Sequence, residues 1–246
     1  MSTYSAQPAP HRPTSDQARR GLFIDFEGNK DREPSLLGSY WIDGGRPRFK
    51  QYVMEPRFWL LAEMGLRPTM HAQALMPCNF SEALQGLAYR AQSENRLLFA
   101  WSSREIKAIQ RYLHDPELVA WYEANLVNVL KLAKSWKRRV HPGVVWKRRD
   151  RFNPVHSLER YQKLCCYLVP AVHRTGRTGK RLQRLRARLA AGHPLTARLK
   201  GHWTKLLNHN FHDCRGMREV SLWIFGIREG GNLGGASGAA VVKPRA

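Results

Sequence analysis

Apolar and polar positions alternate in short runs near the start of the chain and recur at wider, helical spacing further on. In "GLFIDFEG", Leu22, Phe23, Ile24 and Phe26 read as a buried strand broken by Asp25 and Glu27. Two positions apart in a strand, both acids point to one side of the sheet. "SLLGSYWI" and "RFKQYVM" are two further strand-type runs, and "DGGRP" between them predicts a tight turn, so the three form a meander. "FSEALQGLAYRAQSEN" predicts a helix capped by Ser81, "RLLFAW" a fourth strand, and "SSREIKAIQRYLHD" a helix capped by Ser102 or Ser103. Helical spacing continues through "ELVAWYEANLVNVLKLAKSWKRR", returns in "SLERYQKLCCYLV", and closes in a long helix, "HWTKLLNHNFHDCRGMREVSLWIF". The order β-β-β-α-β-α predicts an α/β fold with a mixed sheet. No glycine-rich phosphate loop follows a strand, since "GGNLGG" follows a helix.

Composition refines this picture. With 246 residues and 43% apolar content, the chain can build one large domain with an insertion. Residues 1–20, rich in Ser, Pro and Ala, predict a disordered arm, and the Gly- and Ala-rich residues 229–246 a disordered tail, leaving a domain over 21–228. The net charge of +22 disfavours a compact state and favours a polyanionic partner, nucleic acid first. Most of that excess lies in residues 136–205, a basic, mainly helical insertion whose only carboxylates are Asp150 and Glu159. There Lys137, Arg138, Arg139, Lys147, Arg148, Arg149 and Arg151 interleave with Trp136 and Trp146, so that cations can follow phosphates while rings stack on unpaired bases. Lys180, Arg181 and Arg184 extend the basic surface along "TGKRLQRLRARLAA", which places Arg on nearly every helical face. The four cysteines lack metal or disulfide spacing and point to reduced thiols in a cytoplasmic protein. No apolar run is long enough to span a bilayer.

Against this basic background the acids inside apolar elements stand out. Asp25 and Glu27 occupy a core strand, where uncompensated carboxylates are costly. Glu105 falls in the first turn of the helix after "RLLFAW", at the carboxyl end of a strand, where α/β proteins build their sites. His209 and Asp213, four apart, share one face of the last helix. Hard divalent cations prefer oxygen ligands, and two of them about 3.5–4 Å apart serve phosphodiester hydrolysis. The four carboxylates therefore predict a pair of Mg²⁺ or Mn²⁺ ions.

The same residues resemble a family. "FIDFEG" resembles motif I, Asp-x-Glu, of the DEDD exonucleases in the ribonuclease-H-like superfamily. "LLFAWSSREIKAI" resembles motif II, and "LLNHNFHDCRGMREV" motif III, whose His-Asn-x-x-Asp is similar to the YprB-like branch of predicted nucleases. The likeness implies a ribonuclease-H-like sheet, metal ligands at Asp25, Glu27, Glu105 and Asp213, and a general base at His209. It further implies 3′ to 5′ exonuclease action on a single strand or 3′ end, with Glu105 standing where the family usually has Asp. Two rival constellations exist: a zinc set of His209, His212 and Cys214, and an Arg188-x4-His193 pattern resembling metal-independent ribonucleases of the HEPN type. A third reading is a nucleic-acid-binding protein on an inactivated nuclease fold.

Overall fold

Three antiparallel strands open the sheet in the order the alternation predicts: β1 (Leu22–Glu27), β2 (Leu36–Asp43) and β3 (Arg46–Val53). The structure, a computed structural model, describes residues 12–29, 31–63, 75–147, 155–171 and 178–227. Gly44 and Gly45, at φ 53° and 78°, turn β2 into β3, the left-handed pair that a two-residue hairpin requires. Beyond the meander, β5 (Leu98–Ala100) pairs parallel with β1 and β6 (Leu126–Asn128) with β5. β4 (Leu75–Pro77) pairs parallel with β3 at the other edge. The sheet is thus mixed and six-stranded, in the order β4-β3-β2-β1-β5-β6.

Two of these strands escape the sequence pattern. β4 and β6 are three residues long, too short for a period to register. β6 also interrupts what reads as one helix. The chain leaves α5 (Pro116–Asn125), crosses the sheet edge, and re-enters α6 (Val129–Val140), whose Lys131 amide donates to the Asn128 side chain.

Helices cover both faces. On one, Leu22, Ile24, Leu37 and Leu98 pack against α3 (Phe80–Ser93) and α5 through Leu84, Leu87, Trp121 and Tyr122. α3 is capped by Asn79, two residues before the predicted Ser81, in a reciprocal box with Glu82. α4 (Ser103–Tyr112) follows β5 and takes Ser102 as its cap, as expected. On the other face, Phe23, Tyr40, Phe49 and Phe99 meet α6 and α9 (Ala197–Ile224), a 28-residue helix of about 42 Å. A third cluster joins the short α2 (Trp59–Glu63), α8 (Thr178–Ala190) and α9 around the fully buried Trp203.

Three expectations are corrected here. The stretch before Gly21 is not an unstructured arm throughout: Ser15–Arg20 form α1, closed by a Thr14–Gln17 capping box and anchored by the buried Ala18. Residues 1–11 and 228–246 lie outside the described residues. Helices of the basic insertion pack into the core. α8 does not carry Arg on every face alike, since Leu182 and Leu185 form a buried stripe. Buried Arg186 joins that stripe, its Nη2 2.8 Å from Glu55 Oε2 and 2.7 Å from Ser35 Oγ. α7 (Leu158–Leu164), shorter than "SLERYQKLCCYLV" predicts, packs on α9.

Candidate metal centre

The site is built where α9 crosses the sheet. In register, Asp25 stands opposite Gly38, and Gly38 opposite Gln51. Gly38 leaves a gap in that row, and Asn210 of α9 fills it: a Cβ at position 38 would lie 2.2 Å from Asn210 Oδ1. Asn210 Nδ2 donates to both the main-chain oxygen and Oδ2 of Asp25, each at 2.9 Å. Its Oδ1 accepts from Gln51 Nε2 at 3.0 Å, and the same Gln51 group donates to the Leu207 carbonyl at 3.0 Å. These buried bonds fix the axial position of α9 against β1.

With α9 so placed, its neighbouring polar face meets the end of β1. His209 Nε2 lies 3.7 Å from Glu27 Oε1 and 3.6 Å from Asp213 Oδ2. One ligand atom from each of Glu27, His209 and Asp213 falls within 4.8 Å of the others, close enough to share a cation. Glu105 arrives from the far side. Buried in the first turn of α4, its Oε2 accepts from the Ser102 amide and hydroxyl, both at 3.2 Å. Asp25 and Glu105 stand outside the tight trio but face the same cavity of about 620 Å³. All five residues singled out from the sequence therefore line one cavity.

The electrostatics of this cluster call for positive charge. Burial pushes the Asp25 carboxyl well above its ordinary range; Glu27, Asp213 and Glu105 push it further, and the Asn210 hydrogen bond opposes them. Glu27 is pushed up to about 7, by burial first; His209 works against the rise, Asp213 with it, and the Thr178 hydroxyl against it. Burial likewise raises Asp213, opposed by His209. Glu105 is raised by burial against the hydrogen bonds of its capping box. For His209, burial favours the neutral ring, but Asp213 and Glu27 outweigh it and raise its proton affinity. Its Nδ1 is buried without a hydrogen-bond partner among the described residues. A donor set of four carboxylates fits hard, oxygen-preferring ions such as Mg²⁺ or Mn²⁺.

The rival constellations do not assemble. His212 Nδ1 is engaged by the Tyr167 hydroxyl at 2.9 Å, and among the described residues no zinc-type trio joins it to His209 and Cys214. Arg188 Nε donates to the Pro194 carbonyl at 3.1 Å, and His193 follows a left-handed Gly192 beyond the end of α8.

The residues predicted to contact nucleic acid differ widely in exposure. Trp136 is a core residue, 4% exposed, packed edge-on to His141 at 4.9 Å; it is not a stacking platform. Trp146 is engaged by Tyr161 at 4.7 Å and lies under the Lys137 ammonium, which also donates to the Val144 carbonyl. Arg138, Arg139, Lys147, Lys180 and Arg184 are exposed, and Arg181 is half-buried near His209. Arg148, Arg149 and Arg151 lie outside the described residues. Residues the sequence reading passed over do line the cavity: Arg32, Arg104, Lys107 and Arg111. Three of the four recur at helical spacing in "SREIKAIQR", the helix that carries the candidate ligand Glu105.

Fold and site together describe an α/β protein with a mixed six-stranded sheet and a buried acidic centre at the end of its first strand. No protein-family model matches the chain, and neither a curated protein nor a solved structure matches it. Among the described residues no helix is long and apolar enough to cross a membrane.

Proposed function

We propose that the protein is a metal-dependent nuclease on a ribonuclease-H-like sheet, hydrolysing phosphodiester bonds with two Mg²⁺ or Mn²⁺ ions. One observation carries the reading: four carboxylates from three distant parts of the chain converge on one cavity and hold raised proton affinities there. A protein with 19 acids against 41 bases has concentrated four of those acids where like charges repel. The strand order, with an antiparallel meander flanked by parallel strands on the β1 side, supports the same fold. The 3′ to 5′ polarity rests on the motif resemblance alone.

Bound divalent ions would supply water activation and stabilisation of the leaving oxygen. Asp25, Glu27, Glu105 and Asp213 would hold them. Asn210 orients Asp25 by bonding one carboxylate oxygen, which leaves the other available. His209 presents Nε2 between Glu27 and Asp213, placed to accept a proton from an attacking water. Bound cations would offset the carboxylates of Asp213 and Glu27 that raise the proton affinity of His209, which would favour the neutral ring a base requires.

The non-catalytic alternative draws on one observation: Glu105 is committed to its capping box. Incubation with labelled single- and double-stranded DNA and RNA, in Mg²⁺, Mn²⁺ or EDTA, separates the two. Cleavage that requires metal, and that Asp213→Ala abolishes while leaving binding intact, is the expected result. Salt-sensitive binding with no cleavage in any metal selects the non-catalytic reading, and cleavage persisting in EDTA overturns the metal mechanism.

A further inference from the structure

Helix α4 has two unlike sides. Ile106, Ile109 and Leu113 turn inward to the core under the sheet. Arg104, Lys107 and Arg111, spaced i, i+3 and i+7, are exposed and line the acidic cavity. At 1.5 Å per residue they span about 10 Å, the length over which one nucleic-acid strand presents about three phosphates. None of the three makes an ion-pair contact among the described residues, and neither does Arg32 on the β1–β2 loop, which lines the same cavity. Arg111 lies 5.2 Å over the Tyr112 ring, held at the cavity wall. Unpaired cations beside an acidic floor are what a polyanion needs in order to approach it.

We propose that the outer face of α4, with Arg32, is the phosphate track that leads a nucleic-acid strand into the acidic centre. This assignment rests on the nuclease reading and names the substrate-gripping residues of that same site. It moves the grip away from the predicted patch on α6, whose Arg138 and Arg139 do not line the cavity. The capping box gives the arrangement its geometry. Ser102 and Glu105 fix the first turn of α4 at the end of β5, so the row of cations starts one residue from an acid of the centre. A single rigid helix thus ties the path of the phosphates to the position of one candidate ligand.

The test compares two triple variants of the full chain, Arg104→Gln/Lys107→Gln/Arg111→Gln and Arg138→Gln/Arg139→Gln/Lys147→Gln. Binding of a fluorescein-labelled single-stranded oligonucleotide is followed by anisotropy in EDTA, over a range of salt, with circular dichroism confirming the fold. The α4 variant should bind about 100-fold more weakly at 0.1 M salt, with the slope of log affinity against log salt reduced by about 2, the counterion term for three single-strand contacts. The second variant, whose positions lie at the end of α6 and beyond it, should stay close to wild type. An α4 variant within threefold of wild type, equal losses in both variants, or no binding by the wild type overturns the track. Because the assay runs without metal, failure of cleavage in Mg²⁺ and Mn²⁺ would sink the nuclease reading while leaving this result standing.

Discussion

Replacing Glu27 by Gln should stabilise the metal-free protein at alkaline pH. The substitution keeps the shape of a side chain that is 9% exposed and removes only its charge. Glu27 is raised from an ordinary 4.5 to about 7, chiefly by burial. That difference corresponds to about 3 kcal/mol between the two protonation states. The sign follows from linkage. Below about 4.5 the carboxyl is protonated folded or unfolded and Glu27 costs nothing; between about 4.5 and 7 the unfolded chain ionises first and the folded state loses ground, and above about 7 the full cost applies. In EDTA at pH 8 the variant should therefore exceed wild type by about 3 kcal/mol, or roughly 6–12 °C in Tm for a domain of this size. At pH 5 the gap should shrink below about 1 kcal/mol. Thermal and urea unfolding followed by circular dichroism read both. Adding Mn²⁺ at pH 8 should raise the wild-type Tm more than that of the variant, since a ligand bound only by the folded state stabilises it. A variant no more stable than wild type at pH 8 would show that Glu27 does not carry an uncompensated charge, and the case for a cation there would fall.

Two further substitutions probe the scaffold. Gly38→Ala would place a methyl group 2.2 Å from Asn210 Oδ1, so Asn210 must leave Asp25; a loss of about 1–3 kcal/mol in unfolding and weaker Mn²⁺ binding in a calorimetric titration are expected. Trp136→Ala should cost about 3–5 kcal/mol by denaturant unfolding, while oligonucleotide anisotropy measured on the folded variant stays unchanged; weakened binding would return Trp136 to the nucleic-acid surface.

What the sequence disclosed was set by how far each signal extends along the chain. The meander, α3 and α4 follow from strong local periods and caps, and the structure places them close to expectation. The acids were legible because a carboxylate in an apolar strand contradicts its surroundings, and that conflict shows in one chain without any relative. β6 was not legible, because "NLVNVL" fits a helix as well as a strand and only the neighbouring β5 decides. Trp136 was misassigned for a similar reason. Its basic neighbours Lys137, Arg138 and Arg139 describe the solvent side of α6, whereas Trp136 itself turns into the core with Val129 and Ala133. The Asn210–Gln51 link, crossing 159 positions, leaves no local trace. Arg186 shows the converse. In the sequence it is one cation of many, and only the fold sets it against Glu55 and Ser35.

The long separation between Asp25 and its partner Asn210, 185 positions, has a consequence for biogenesis. Domains assemble from their leading end as they are synthesised. The strand that starts the sheet emerges early, whereas His209, Asn210 and Asp213 emerge after every other strand and helix described. Until that last helix docks, the cavity lacks the His209 imidazole, the Asp213 carboxyl and the amide that bonds Asp25. On the nuclease reading proposed above, the chain would therefore stay inert towards the RNA-rich ribosome until α9 had been synthesised and docked.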